Sequence, residues 1–370
     1  MKVAIRVDAS VRIGFGHLMR CRTLALDLAA RGAEVFFLCR EHKGHGIDLL
    51  RADGFTVYPL SAPDTEPASD TDYAGWLGVP VLADAADTAK FLPGPMDWVV
   101  VDHYGLDAQW ESALRPLAER VLVIDDLANR PHDCDLLLDQ NYAGPAEDRY
   151  DGRVPEECTQ LLGPEFALLH PAFREQRLAA KNRNVSGSRV ERVFVFFGGT
   201  DPDDLTGRAL EALRHPSLAH LEVDLVVGAN YPHRTNLEQQ VAHHGRATLH
   251  DPRPHLADLM AAADLAIGAG GATTWERCCL GLPSLVVSVA ENQRPACEAL
   301  AADGIIDYLG TAREITVDLL TSRILSLTHD SARLAALSAA GRDLVDGLGT
   351  TRVVEALQEP AAALSSESGI

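Results

Sequence analysis

The seven cysteines of this chain, at 21, 39, 134, 158, 278, 279 and 297, never fall into a C-x-x-C spacing, which removes the usual zinc and dithiol signatures. They sit in apolar segments, where reduced, mostly buried thiols are expected. No run of about 18 apolar residues occurs, and Met1-Lys2 leads into a strand-like segment without the apolar core of a signal peptide. A cytoplasmic protein without membrane insertion is the expectation. A long basic run is missing too: 53 Asp and Glu stand against 33 Lys and Arg, a net charge of -20, and a nucleic-acid partner is not expected. A small anionic ligand stays open, because helix-start amides and local arginines make positive pockets inside acidic proteins. No G-x-S-x-G elbow appears. His42 and His45 flank Lys43 in a polar loop and His243-His244 resemble a solvated helix end, so neither a metal nor a cofactor is expected.

What is present is an alternation. Val3-Ala4-Ile5-Arg6-Val7, Val35-Phe36-Phe37-Leu38, Trp98-Val99-Val100-Val101 and Val121-Leu122-Val123-Ile124 are short apolar runs separated by helix-period segments, the signature of a parallel sheet with covering helices. Leu18, Cys21, Leu24, Ala25 and Leu28 share one helical face, and Gly32 is placed to end that helix. The first unit therefore reads as a Rossmann-like βαβ. Polarity and flexible residues from 174 to 191 read as a linker. A second series then runs through Val193-Phe194-Val195-Phe196-Phe197, 223–227, 265–267 and 284–287. At roughly 150 residues per domain, 370 residues accommodate two. The expected division is 1–175 and 190–345 as two Rossmann-like domains, and 346–370 as a terminal helix and frayed tail.

Asp8 closes the first apolar run and Ile13-Gly14-Phe15-Gly16-His17 opens the helix. Glycines there let backbone approach a ligand, and the helix start offers unpaired amides. The third glycine of a dinucleotide fingerprint is missing, and the second strand ends in Leu38-Cys39-Arg40 rather than in an acid that would hold an NAD ribose. This argues against a dehydrogenase. His17, where the helix dipole disfavours imidazolium, is either a general base or a packed helix-start residue. Gly198-Gly199-Thr200-Asp201 is either a ligand loop or a tight turn capped by aspartates. Gly268-Ala269-Gly270-Gly271-Ala272-Thr273-Thr274-Trp275-Glu276 runs from a strand through glycines and hydroxyls into a helix. That arrangement suits a diphosphate, with Glu276 reaching ribose hydroxyls, unless the glycines serve packing alone. Asn292 and Gln293 follow the next strand on the same sheet edge and can bond a sugar or phosphate. His103-Tyr104 would line the opposing wall.

Together, Arg6-Val7-Asp8-Ala9-Ser10, the 13–21 segment, Asp102-His103-Tyr104-Gly105, Asp125-Asp126 with His132-Asp133-Cys134-Asp135, Gly198-Gly199-Thr200-Asp201 and Glu291-Asn292-Gln293 resemble the UDP-2,4-diacetamido-2,4,6-trideoxy-β-L-altropyranose hydrolases of pseudaminic acid biosynthesis. The resemblance runs to about residue 310 and leaves out 61–95. It implies a GT-B-like α/β fold of two Rossmann-like domains whose parallel sheets face an inter-domain cleft, related to the transferase that adds N-acetylglucosamine to lipid-linked muramyl pentapeptide. It also implies inverting, metal-independent hydrolysis of a UDP-sugar, a small-molecule partner, to UDP and free sugar. His17 would be the base, Tyr104 and Asn292 would hold the sugar, and Gly14, Gly16, Arg20, Gly199, Thr200, Gly270, Gly271, Thr273, Thr274, Glu276 and Gln293 would contact the substrate or its UDP. Trp275 departs from the smaller polar residue of other members. A glycosyltransferase using the same donor is the alternative, as is a nucleotide-sugar sensor that has lost the reaction. No basic amphipathic stretch marks an acceptor or membrane surface in the first half.

Overall fold

The computed structural model describes residues 1–69, 71–142, 149–179 and 189–359. It divides into two units. One runs to Asn141, continues to Leu168 and takes back the chain from Gly349; the other is Leu169–Leu348 together with Tyr142. The division thus falls at 168/169 rather than 175. Residues 174–179, expected in the linker, belong to the helix Pro171–Ala179, because Phe173 gives it a buried anchor. Of the rest of that linker, 180–188 lie outside the described residues, as does the tail from 360, and Val190 is already buried in the second unit. The terminal periodic stretch is two helices, Ser331–Leu344 and Gly349–Gln358. The second returns to the first unit, where Trp98 Nε1 donates to Leu357 O at 2.9 Å. No helix among the described residues is long and apolar enough to cross a membrane.

The first unit holds β1 (Lys2–Val7), β2 (Glu34–Arg40), β3 (Thr56–Leu60), β4 (Met96–Asp102), β5 (Ala118–Ile124), β6 (Leu136–Asp139) and β7 (Thr159–Leu162). They form one parallel sheet in the order β3-β2-β1-β4-β5-β6-β7. The second unit repeats the plan with β8 (Arg192–Phe196), β9 (Glu222–Val226), β10 (Ala247–His250), β11 (Leu265–Ala269), β12 (Ser284–Ser288) and β13 (Asp307–Thr311), ordered β10-β9-β8-β11-β12-β13. In each sheet the order reverses between the first strand and the fourth, β1/β4 and β8/β11. Loops leaving the carboxyl ends of such a pair diverge to opposite faces and open a crevice.

Strand parity decides what reaches each face of the first sheet, since alternate side chains point opposite ways. Val3, Ile5 and Val7 of β1, with Trp98 and Val100 of β4, pack under Leu18, Leu24 and Leu28 of the helix Gly16–Ala30. Ala4, Val99, Val101, Val121 and Val123 face the other way, toward Trp110 and Leu114 of the helix Ala108–Leu114. Each fully buried aliphatic or aromatic side chain contributes about 1.5–3 kcal/mol, so slipping a strand by one residue would forfeit both layers. The same parity sends Arg6, Asp8, Arg40 and His103 to the Trp110 face. Asp102 goes to the face of the helix Gly16–Ala30. Neighbours in sequence thereby enter different sites.

Candidate active site

The β1 strand stops at Val7, and Asp8 begins the loop. Ser10 Oγ accepts the N–H of Arg12 at 3.1 Å and of Ile13 at 2.8 Å, while Gly14 N–H donates to Ser10 O at 2.9 Å. Gly14 closes this turn at φ 79°, a conformation that L side chains adopt at a cost. Gly16 opens the helix, and among the described residues a side chain there would meet nothing within 4 Å, which leaves its backbone approachable. The helix has no side-chain cap and no acid in its first turn.

His17 follows, 9% exposed. Its Nδ1 stands 2.6 Å from Asp102 Oδ1, so Nδ1–H donates and the Nε2 lone pair is left to act as a base. Asp102 is fully buried and receives Arg20 twice, Nε to Oδ2 at 2.6 Å and Nη2 to Oδ1 at 2.7 Å. Burial alone would raise this carboxyl, but Arg20 and then His17 hold it well below the usual carboxylate range. It stays ionised and fixes the imidazole. Arg20 Nη1 reaches Asp126 Oδ2 at 3.3 Å, and Tyr104 OH donates to Asp126 Oδ1 at 2.5 Å. Burial and then Asp126 push the Tyr104 phenol well above its usual range, keeping it a proton donor. The Tyr104 ring sets its edge against His17 at 4.6 Å and 85°. His17, Arg20 and Tyr104 are brought together, with Arg20 already committed to two carboxylates rather than turned to a ligand.

On the opposite face lies a fully buried ion cluster. Arg6 gives Nη1 and Nη2 to Asp8 at 2.6 and 2.8 Å, and Nε and Nη2 to Asp84 at 3.0 and 2.8 Å. Arg40 Nη2 and Trp110 Nε1 also donate to Asp84, at 2.7 and 3.0 Å. His103 belongs here, not on a ligand-facing wall: it is 3% exposed and its Nδ1 accepts Gly105 N–H at 2.9 Å. Burial drives it down to about 3, with Asp8 only partly opposing. His103 is therefore a neutral framework residue.

In the second unit, the β8 loop carries Gly199 and Thr200. Gly199 packs so closely on the next strand's loop that a Cβ on Gly228 would fall 2.1 Å from Gly199 O. Asp201 accepts the N–H groups of Leu205 and Thr206 at 2.9 and 2.8 Å, and Asp204 accepts Gly207 N–H and the Tyr231 hydroxyl. Both aspartates sit at positive φ, 36° and 53°. These carboxylates hold the turn and the start of the helix Leu205–Leu213.

The β11 loop leads through Gly270 and Gly271 into the helix Thr273–Leu280. Gly270 is needed for packing, since a Cβ would lie 2.2 Å from Cys297 Sγ; one on Gly271 would stand 3.4 Å from Gln293 Nε2. Arg277, 1% exposed, ties the turn together: Nη1 to Thr273 Oγ1 at 3.2 Å, and Nη2 to Ala269 O at 2.8 Å and Thr274 Oγ1 at 3.0 Å. Thr274 is buried by this bond, so its hydroxyl serves the loop. Glu276 differs. Its Oε2 is shut off from solvent without a hydrogen-bond partner, and burial pushes the carboxyl up to about 7, Arg277 opposing. Asn292 and Gln293 lie in a short turn, Glu291–Gln293, beyond β12, where Gln293 Oε1 accepts Val289 N–H at 3.0 Å.

Asp102 and Asp126 lie in the segments that carry the family resemblance but received no role from the sequence, and Arg277 was not singled out; each bonds a candidate residue. The signal for Asp102 was its place at the end of an apolar strand with the parity of Trp98 and Val100; Arg277 gave none, as it reads as an ordinary helix cation.

No family model matches the chain. Over 305 residues it is 27% identical to the UDP-2,4-diacetamido-2,4,6-trideoxy-beta-L-altropyranose hydrolase of Campylobacter jejuni, covering 82% of this chain and 97% of that one. Over 198 residues, 53% of its length, it is 29% identical to the spore coat polysaccharide biosynthesis protein SpsG of Bacillus subtilis; it spans only 57% of that relative. In three dimensions it matches MurG of Acinetobacter baumannii with a TM-score of 0.62 at 15% identity, over 96% of this chain and 99% of the other. The chain is thus a sequence relative of the UDP-2,4-diacetamido-2,4,6-trideoxy-β-L-altropyranose hydrolase, built as two parallel α/β units of the GT-B fold.

Proposed function

We propose that the chain hydrolyses a UDP-linked amino-deoxy sugar, UDP-2,4-diacetamido-2,4,6-trideoxy-β-L-altropyranose or a close relative, to UDP and free sugar. The observation that carries the reading is the His17 Nδ1 to Asp102 contact of 2.6 Å at the β1/β4 switch point. A base oriented by a buried carboxylate is what activation of water requires. Water oxygen bonds to C1 as the C1–O bond to the diphosphate breaks. The water proton passes to His17 Nε2, UDP leaves with the bonding pair, and the anomeric centre inverts. Tyr104 and Asn292 hold the sugar. The backbone of Gly14, Gly16, Gly199, Thr200, Gly270 and Gly271, with Thr273 and Gln293, contacts the substrate, while Arg20 and Thr274 act through Asp102 and Arg277. Glu276 accepts the ribose hydroxyls, which explains a buried carboxylate oxygen left without a partner. Diphosphate is already a good leaving group and helix-start amides stabilise its charge, so this reaction calls for no metal ion.

His17→Ala is expected to retain UDP affinity by calorimetry and to lose ~10²–10⁴-fold in turnover; turnover near wild type removes His17 from the role. The likeness to MurG favours one rival, a glycosyltransferase using the same donor. Incubation with the UDP-sugar alone separates them, because catalytic UDP release without an acceptor is hydrolysis.

A further inference from the structure

Asp126 is the carboxylate on which the neighbours of the imidazole depend, since it takes both the Tyr104 hydroxyl and Arg20 Nη1. Its own loop is held under strain. Ala128, two residues on, sits at φ 49°, in the left-handed region that a residue with a Cβ occupies at a cost, and such a turn persists where the surrounding structure fixes it. On the Asp125 side the ties are local: Ala128 N–H donates to Asp125 Oδ2 at 2.9 Å and Arg130 Nη1 to Asp125 Oδ1 at 2.8 Å. On the Asp126 side a tie comes from farther along the chain, from Arg149.

The Arg149 guanidinium is a bridge with two arms. Nη1 donates to Asp139 Oδ2 at 2.5 Å and Nη2 to Asp126 O at 2.9 Å. Asp139 ends β6, the strand beside β5, whose loop carries Asp126, so one side chain spans two neighbouring strand ends. The anchor is firm. Asp139 is buried and its Oδ1 accepts Asn141 N–H at 2.9 Å, while the buried Tyr150 hydroxyl stands 3.1 Å from Asp139 Oδ2 and 3.0 Å from Asp125 O. Burial pushes the Asp139 carboxyl up to about 7, Arg149 opposing and Asp126 adding to the rise. The carboxyl therefore relies on the guanidinium to stay ionised. A planar fork fixes the direction of both bonds, whereas an ammonium on a flexible stem fixes neither.

We infer that Arg149 is a positioning residue for the reaction: by pinning the Asp126 main chain to Asp139 it aims the Asp126 carboxylate at Tyr104 and Arg20, and through them holds the His17 imidazole in place. The inference rests on the UDP-sugar reading and extends it to a residue that acts through Asp126. Arg149→Lys keeps a cation beside Asp139 and gives up the fork. In protein isotope-labelled at tyrosine Cζ, the Tyr104 NMR signal, assigned by its loss in Tyr104→Phe, should move in Arg149→Lys, while the unfolding midpoint and UDP affinity stay at wild-type values. With UDP-2,4-diacetamido-2,4,6-trideoxy-β-L-altropyranose as substrate, on the alkaline side of about 7 where Asp139 is ionised, kcat should fall about tenfold with KM within about twofold of wild type. A residue that only stabilised the fold would lower the midpoint and leave kcat in place. Asp139→Asn unhooks the other end of the bridge and should move the Tyr104 signal as well; it stands in should Arg149→Lys fail to fold. Wild-type protein that releases no UDP from the sugar nucleotide defeats the hydrolase reading and leaves the Tyr104 signal to judge the bridge. A Tyr104 signal unmoved in both variants, or Arg149→Lys kinetics equal to wild type, overturns the assignment.

Discussion

The two units share a strand order and differ in what fills the switch point. Between β1 and β4 stand a histidine, two aspartates, an arginine and a tyrosine, with Arg6, Asp8, Asp84 and Arg40 packed on the other face. Between β8 and β11 there are glycines, with the hydroxyls of Thr273 and Thr274 around Arg277; Asp201 and Asp204 are spent on backbone N–H groups, and Glu276 Oε2 is left without a partner. Charges locked to each other suit holding one proton acceptor in place, since Asp102 and Asp126 already hold their donors before substrate arrives. Open backbone with an unsatisfied acceptor suits holding a ligand that brings its own donors. One architecture is thus filled in two ways, with paired charges at one switch point and glycine-rich backbone at the other.

That division breaks most sharply at Asp102. Asp102→Asn keeps the shape but frees the imidazole tautomer, and a turnover loss of ~10²–10⁴-fold with intact UDP affinity is expected from steady-state kinetics and calorimetry. A variant that loses UDP binding in step would mean the two roles are not separate. Next comes Asp84→Ala, which strands Arg6 and Arg40 in a dry interior. Denaturant unfolding should show a loss of about 3–5 kcal/mol, and a loss below 1 kcal/mol would mean the cluster is not structural. The smallest effect is expected in the second unit, where Glu276→Gln should weaken UDP binding by ~10- to 100-fold and leave stability nearly intact.

Glu276 also gives the comparison a pH dependence. Ribose hydroxyls donate to the ionised carboxyl, so UDP affinity should fall as pH drops through about 7 and flatten in Glu276→Gln; an equally steep fall in the variant assigns the titration elsewhere. For the free protein the sign reverses. A carboxyl raised above its unfolded value costs stability as pH rises through about 7, and bound ribose offsets that cost.

Periodicity was enough to read the apolar runs as buried parallel strands, and glycine next to a helix start was enough to mark both strand-to-helix turns, because each signal is local: a side-chain alternation or a backbone conformation at Gly14. The His17 role was suggested by position and resemblance alone. Its partner lies 85 residues away and Arg6 and Asp84 are 78 apart, distances over which a chain carries no visible mark of pairing. Parity in β4 divided Asp102 from His103, sending one to the imidazole and the other into the ion cluster, although the two are neighbours at one strand end. Arg149 was opaque for the same reason, since nothing local ties it to Asp126 and Asp139. Sequence by itself determined which segments are strands, where the turns must be glycine and which residue types stand near them. Only the tertiary structure decided which charges meet, because the cost of burying an ion depends on the partner supplied from elsewhere in the fold.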